Sequence, residues 1–323
     1  MTVRSFPAGA RPLTCRLLLA AMAIVTMALA GCGLGEGEER SGGAELRVTR
    51  DFGRQELATA RRDTIREGET VMRFLQGERR VETRYGGGFV QSIDGLAGGG
   101  SGGREDWFYF VNGIEASVGA AERNLSPGDV VQWDHRNWEG AMRVPAIVGA
   151  YPEPFVHGAE GKRIPTRVEC EDEGSAACGE VARRLEDAGV TATRAPLGAS
   201  AGPEVLRVVV AKGAAARGVK AIEGLDEGPE ASGVFARFAD GGQTLELLDE
   251  RGDVARVERA GTGLVAARAP EEQAIVWMVT GVDDAGVEAA ARALDPRGLR
   301  NAFAVSTSPR GVVRLPVKRE GGA

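Results

Sequence analysis

The fold is decided by residues 106–116, Asp-Trp-Phe-Tyr-Phe-Val-Asn-Gly-Ile-Glu-Ala, together with residues 125–138, Leu-Ser-Pro-Gly-Asp-Val-Val-Gln-Trp-Asp-His-Arg-Asn-Trp. These stretches hold three of the four tryptophans in the chain of 323 residues. Aromatic and β-branched runs bounded by turn residues are typical of β-strands. Asn112-Gly113 and Pro127-Gly128 suit tight turns, since such turns need positive φ angles. The sequence therefore predicts two aromatic strands joined by a loop.

The residues before these strands predict a hairpin and a helix. Residues 46–48 alternate apolar with polar side chains, residues 51–54 are typical of a turn, and residues 55–65 return as a second strand. Residues 71–75 place apolar side chains at the spacing of a short amphipathic helix, which follows acidic residues at its N-terminal end. Further extended segments are predicted at residues 80–85 and 88–93.

The order of these motifs resembles the DUF4430 family. The resemblance rests on Asn112-Gly113, on Ser126-Pro127-Gly128-Asp129, and on Gly-Phe-Val-Gln-Ser-Ile-Asp-Gly at residues 88–95, and it covers about residues 45–138. It implies a β-grasp domain similar to the C-terminal domain of transcobalamin, and a binding module rather than an enzyme. It also suggests a cobalamin-like ligand, although transcobalamin completes its site with a helical domain that this chain replaces with an α/β domain.

The N-terminal residues predict a bacterial lipoprotein. Three arginines precede an apolar stretch at residues 17–30, which is short for a membrane span. Leu29-Ala30-Gly31-Cys32 matches a lipobox, so residues 1–31 are predicted to be the signal peptide and Cys32 the lipidated residue. Residues 32–44 then form a flexible tether. The alternative is an ordinary secretory signal with an incidental cysteine.

Two cysteines remain after Cys15 and Cys32 are set aside. Cys170 and Cys178 are predicted to form a disulfide, because the chain is expected in an oxidising compartment. The bridge would join the end of a strand to the first turn of the next helix. Metal binding is the alternative, but the short Cys-x2-Cys spacing and a neighbouring histidine are both missing. No metal site is predicted.

The aromatic strands supply the candidate ligand-binding residues. Alternate residues of a strand share a face, so residues 107, 109 and 111 lie together, opposite residues 108 and 110. One face is expected to form the core and the other an exposed aromatic surface, a usual material of binding sites. The alternative is that these aromatics only fill and cover a small core, and that His135 is a plain surface histidine. The candidates are Trp107, Tyr109, Asn112, Trp133, His135 and Trp138.

Composition and length limit the partners and the domain number. Residues 1–31 hold three of the 40 basic residues and none of the 46 acidic ones, which leaves a formal charge of −9. Nucleic acid is therefore not expected as a partner. We predict an α+β protein with a β-grasp-like domain at residues 45–145, a proline-containing junction, and an α/β domain with a mixed sheet at residues 160–323.

Catalytic patterns find little support in the chain. Gly-x-Ser-x-Gly occurs around Ser101 and Ser200, but neither serine has the strand before and the helix after that a nucleophile elbow needs. Both histidines precede Ser200, opposite to the order in α/β-hydrolases. No catalytic residue and no cofactor are therefore predicted. The expected function is ligand binding by a membrane-anchored extracytoplasmic lipoprotein, with a transporter as a possible partner; the alternative is a cell-surface interaction scaffold without a small ligand.

Overall fold

The computed structural model describes residues 1–2, 38–100, 102–200, 202, 204–269 and 275–318. The predicted signal peptide, apart from its first two residues, and the predicted lipidation at Cys32 lie outside the described residues. Residues 39–323 form one compact unit. The predicted α+β class is confirmed, since helices and several sheets combine in this unit. The division at residues 145–160 into two domains stays a prediction.

Five strands form the first sheet: β1 (Glu39–Arg50), β2 (Gln55–Arg66), β6 (Glu105–Val111), β7 (Ile114–Glu115) and β8 (Asp129–Asn137). Their order is β2-β1-β8-β6-β7, with β1 and β8 parallel and all other neighbours antiparallel. This mixed order, opened by a hairpin, fits the β-grasp arrangement. β1 begins at Glu39, so the strand extends into the segment predicted as a tether.

The turn between β1 and β2 is held in an unusual conformation. Asp51, Phe52 and Gly53 all have positive φ angles, of 56°, 59° and 74°. A Cβ atom on Gly53 would lie 1.7 Å from the carbonyl oxygen of Asn301, so only glycine fits there. The turn therefore packs closely against the backbone near Asn301, in the C-terminal part of the chain. The hairpin pattern alone did not indicate this contact.

A helix and a small sheet cover one face of the first sheet. Helix α1 (Val71–Glu78) begins at Thr70, whose side chain accepts a hydrogen bond from the Arg73 N–H. The small antiparallel sheet consists of β3 (Val81–Arg84), β4 (Phe89–Ile93) and β5 (Leu96–Ala97). The predicted extended segments at 80–85 and 88–93 thus form strands, but in a sheet of their own.

The second sheet has seven strands: β9 (Thr166–Cys170), β10 (Ala192–Pro196), β11 (Leu206–Lys212), β15 (Gly263–Arg268), β16 (Val276–Gly281), β17 (Ala304–Ser308) and β18 (Gly311–Leu315). Their order is β10-β9-β11-β16-β15-β17-β18. Strands β10, β9, β11 and β16 run parallel to one another, and the pairs that involve β15, β17 and β18 are antiparallel. The predicted mixed sheet is therefore confirmed.

Two helices lie on one face of the second sheet. They are α2 (Ala176–Asp187) and α5 (Asp284–Arg292), capped at their N-termini by Ser175 and Asp283. The predicted disulfide between Cys170 and Cys178 is present, and it joins the end of β9 to the first turn of α2. Three helices of four residues each are α3 (Gly213–Ala216), α4 (Pro229–Ser232) and α6 (Pro296–Leu299).

The other face of the second sheet meets both a third sheet and the first sheet. The third sheet is antiparallel and consists of β12 (Ala236–Ala239), β13 (Thr244–Leu248) and β14 (Val254–Glu258). The core between these sheets includes Phe52 of the β1–β2 turn and Phe110 of β6. Both lie beside Phe235 and Phe303 from the C-terminal half. The hydrophobic core therefore continues across the predicted domain junction.

Candidate ligand-binding cleft

The aromatic side chains of β6 and β8 pair across the two strands. Trp107 lies opposite His135, and Tyr109 lies opposite Trp133. The Tyr109 and Trp133 rings stack with their centroids 4.9 Å apart, and the Trp107 and His135 rings meet edge to face at 5.1 Å. The predicted sharing of one face is therefore confirmed, and this face packs towards α1 and the small sheet.

The expectation of an exposed aromatic surface is wrong. Trp107, Tyr109, Trp133 and His135 are all buried, with at most 9% of their surface exposed. The indole Nε1 of Trp107 donates to the Leu96 carbonyl oxygen over 3.0 Å, so even its polar atom is occupied within the fold. These side chains were candidates for ligand binding because they were expected to be exposed. Since they are buried, that reason no longer holds.

His135 and Trp138 occupy different positions at the far end of β8. His135 Nε2 donates to the carbonyl oxygen of Ala97 over 3.1 Å, so the ring ties β8 to the small sheet. Trp138 is half-buried just beyond the strand, and its backbone N–H donates to the Arg104 carbonyl oxygen over 2.9 Å. Trp138 is the one candidate aromatic with appreciable exposed surface.

Asn112 holds together the two turns of the sequence motif. Its Nδ2 donates to the Asp129 carboxylate and to the Gly158 carbonyl oxygen, each over 2.9 Å. Its Oδ1 accepts from the Val130 N–H over 2.9 Å. Asn112 and Asp129 are both fully buried. The amide is thus committed to structure, and it links the aromatic strands to the junction segment.

The opposite face of the first sheet is covered by the C-terminal half. The Arg136 guanidinium lies over the Phe108 ring, 3.8 Å from its centroid, and donates to the carbonyl oxygens of Ala141 and Met142. Phe110 meets Phe303 edge to face, with the centroids 5.4 Å apart. Both faces of the aromatic strands are therefore inside the protein.

A buried carboxylate fixes the hairpin turn to this second face. Asp134 accepts hydrogen bonds from the Thr49 hydroxyl at 2.6 Å and from the Phe52 and Gly53 N–H groups at 3.0 and 2.9 Å. Burial raises the pKa of Asp134 to about 6, although these hydrogen bonds act in the opposite direction. Burial also lowers the pKa of Arg136 to about 10, against the opposing effect of Glu115.

An accessible cleft lies at the end of the first sheet, beyond β6 and β7. It has a volume of about 440 Å³, within the range of small-molecule sites. Half of its lining residues are apolar and the others are mostly charged. The lining consists of Val111, Ile114, Glu115, Ala116, Ser117, Val118, Arg123, Ala159, Glu160, Lys162, Ile164 and Glu204. We call it the end cleft.

The charges of the end cleft differ in how they are partnered. Lys162 pairs with Glu204 at 2.6 Å, and Glu115 lies 3.5 Å from Arg143. Burial raises the pKa of Glu115, and the nearby arginines oppose that effect. Arg123 is half-buried and, among the described residues, has no ion-pair partner; its guanidinium donates only to the Asn124 carbonyl oxygen. Glu160 also has no ion-pair partner within the described part of the chain, but its side chain is exposed.

Tyr109 shapes the end cleft without lining it. Its hydroxyl donates to the Val118 carbonyl oxygen over 2.6 Å, which fixes the loop that forms one wall. Burial raises the pKa of Tyr109 to about 12, so the donor proton stays in place at neutral pH. One of the predicted ligand-binding residues therefore acts as a positioning residue.

A second cleft, of about 410 Å³, lies where β9 and β11 end and α2 and α5 begin. Lys212 bridges Glu171 at 3.2 Å and Asp284 at 3.0 Å across it. These charges satisfy one another. Of the other two lining carboxylates, Asp172 is exposed and Glu288 pairs with Arg292 at 3.4 Å. Within the described ranges no group of three or more histidine, cysteine, aspartate or glutamate side chains is arranged to hold a metal ion.

Sequence reasoning missed Arg123, Val118 and the junction residues of the end cleft. They lie in loops between Glu115 and Asp129 and after Gly158, where no periodic pattern reveals which side chains converge. The one available signal was the Asn112 motif itself, since the turn that it forms brings these loops together.

Comparison with known proteins supports the family resemblance for part of the chain. Residues 68–137 match the family model described as "Domain of unknown function (DUF4430)". This confirms the resemblance to DUF4430 over α1, the small sheet and the aromatic strands. No curated protein matches the chain.

One solved structure with a partial likeness is described as "a putative metal binding protein from Ruminococcus gnavus ATCC 29149". It shares 18% sequence identity, and the alignment covers 29% of this chain and 96% of that chain with a TM-score of 0.25. At this TM-score the likeness carries no argument about fold or function.

Proposed function

We propose that this protein is a lipid-anchored extracytoplasmic binding protein, and that the end cleft holds a small ligand with an apolar body and an anionic group. The anchor is inferred from the lipobox at Cys32. No helix in the described part of the chain has the length and hydropathy needed to cross a bilayer. Binding rather than catalysis is proposed because both histidines are held in structural contacts, with Ala97 and with Glu153.

Arg123 is the observation that carries the ligand class. A half-buried guanidinium without an ion-pair partner among the described residues, beside apolar Val111, Ile114 and Val118, favours an anionic group on an otherwise apolar molecule. Because Arg123 is less exposed than Glu160, its field in the cleft is less screened by solvent. Glu160 remains available to accept hydrogen bonds from donors on the same ligand.

The test compares ligands that differ only in charge. Octanoate should raise the melting temperature of the protein, whereas its uncharged methyl ester should bind more weakly. Arg123→Gln should weaken octanoate binding about tenfold or more, the effect of losing a charged hydrogen bond. Arg73→Gln is the matched control, since Arg73 is an exposed arginine of α1 outside the end cleft.

Cobalamin forms a separate arm of the same experiment, because the DUF4430 resemblance suggests a corrinoid. Tryptophan fluorescence is a suitable second readout, since Trp133 stacks on Tyr109, which holds the cleft wall. If neither octanoate nor cobalamin changes fluorescence or melting temperature, the small-ligand proposal fails and an interaction scaffold becomes the better hypothesis. A transporter component stays a proposed partner for delivery of the ligand.

A further inference from the structure

The chain enters the fold at the same end of the first sheet that carries the end cleft. Glu39, the first residue of β1, pairs with Arg66, the last residue of β2. β1 runs parallel to β8, with Ala44 opposite Asp129 at the start of β8. Since β6 is antiparallel to β8, Val111 lies at this end as well. We call this the entry end of the protein.

Three exposed apolar side chains lie at or beside the entry end. Tyr85 is 86% exposed, Val118 44% and Phe89 37%. Tyr85 and Phe89 flank a turn of three glycines between β3 and β4, and their rings meet edge to face at 6.1 Å. Soluble proteins commonly expose single apolar residues, but a clustered group indicates a contact surface.

Backbone contacts place this group together. A Cβ atom on Gly119 would lie 3.6 Å from the Gly88 carbonyl oxygen, so the glycine turn and the Val118 segment are neighbours. The same loop is bonded to the start of α1, because the Val71 N–H donates to the Arg123 carbonyl oxygen over 2.9 Å. The turn, the loop and the end cleft therefore form one continuous surface.

The length of chain between the predicted lipid and the fold limits the distance to the membrane. Cys32 and Glu39 are seven residues apart in the sequence. A fully extended chain spans at most about 3.6 Å per residue, so this connection reaches no more than about 25 Å. A lipid on Cys32 would thus hold the entry end close to the bilayer surface.

We propose that Tyr85, Phe89 and Val118 rest in the headgroup region of the membrane that carries the lipid on Cys32. This inference rests on the lipid anchoring given above as proposed function. Tyrosine favours the membrane interface, where its ring meets acyl chains and its hydroxyl meets water. The end cleft then opens beside the bilayer. Its ligand, with an apolar body and an anionic group, is taken up from the membrane surface.

The experiment uses the full chain, lipidated in a bacterial host and reconstituted into vesicles of phosphatidylethanolamine and phosphatidylglycerol. A fluorophore is attached at Tyr85→Cys or Val118→Cys and quenched with lipids that carry a spin label on the acyl chain. Leu57→Cys is the control, because Leu57 is also exposed, at 39%, and lies nine residues from Arg66 along β2, about 30 Å away. Cys170 and Cys178 are joined and do not react.

Quenching at both entry-end positions should exceed that at Leu57 by about twofold or more, since interfacial side chains lie roughly 5–10 Å into the headgroup boundary. Equal quenching at all three positions in lipidated protein would overturn the membrane contact and leave the anchor intact. The intact mass of the protein is measured first. A mass without acyl chains would refute the anchoring, and the membrane contact with it, while the octanoate titration would still test the end cleft.

Discussion

Replacing Asp134 with asparagine should change how the stability of the protein depends on pH. Asp134 is fully buried and receives three hydrogen bonds, two of them from the backbone of the hairpin turn. Burial raises its pKa from 3.8 to about 6. A carboxyl group whose pKa is higher in the folded state binds protons more tightly there, so it stabilises the fold at low pH and loses that effect as pH rises from about 4 to about 6.

The size of this effect follows from the two pKa values. The difference between a pKa of 3.8 in the unfolded chain and about 6 in the folded protein corresponds to about 3 kcal/mol between strongly acidic and neutral pH. Between pH 4.5 and pH 7.5 the free energy of unfolding should fall by about 2 kcal/mol on account of this group alone. Asparagine does not titrate, so Asp134→Asn lacks this contribution at every pH.

Urea unfolding at several pH values measures the prediction. Other carboxyl groups with raised pKa, such as Glu115 and Asp129, are present in both proteins and cancel in the difference. The stability of the native protein relative to Asp134→Asn should therefore decrease by about 2 kcal/mol from pH 4.5 to pH 7.5. A difference that stays constant, or that grows with pH, would show that Asp134 is not a buried carboxyl with a raised pKa.

Three further substitutions test the contacts that hold the sheets in place. Asn112→Ala should lower the free energy of unfolding by about 3 kcal/mol in urea titrations, because it removes three buried hydrogen bonds, to one oxygen of the Asp129 carboxylate, to the Gly158 carbonyl oxygen and from the Val130 N–H; a loss under 1 kcal/mol would contradict this. Gly53→Ala should lower the free energy of unfolding at least as much as Asn112→Ala does, because the added Cβ would overlap the Asn301 carbonyl oxygen. The measurement is a lower melting temperature. Cys170→Ser should cost about 2 to 3 kcal/mol, and a reducing agent should reproduce this loss in the native protein but have no effect on the variant.

Local patterns predicted the elements with strong periodicity. The hairpin at residues 46–65, the helix after Thr70 and the aromatic strands follow from side-chain alternation and turn residues, which act over a few positions. The disulfide followed from the number of cysteines and the expected oxidising compartment. In the C-terminal half, β10, β12 and β15 lack such local patterns. β10 and β12 are short and partly exposed, and β15 is rich in alanine and glycine, so none has a clear strand pattern.

The site could not be predicted because it depends on packing between distant segments. Gln132, Asp134 and Arg136 alternate on β8 as polar residues, a pattern that normally indicates a face exposed to water. The structure buries this face beneath the C-terminal half, with Arg136 over Phe108. Neither the covering layer nor the convergence on Arg123 can be read from the strands themselves.

Burial of both faces limits where the β-grasp-like region can bind anything. A sheet covered by α1 on one side and by the C-terminal core on the other offers a ligand only its edges and its ends. The long edge strand β2 carries mostly charged and small side chains, and the short edge strand β7 forms part of the end cleft. The motif residue Asn112 joins the strands to the junction at this same end. The turns that identify the fold therefore also build the end cleft, although the Asn112 side chain is committed to structure. The proposed ligand would instead contact neighbouring loop residues such as Arg123.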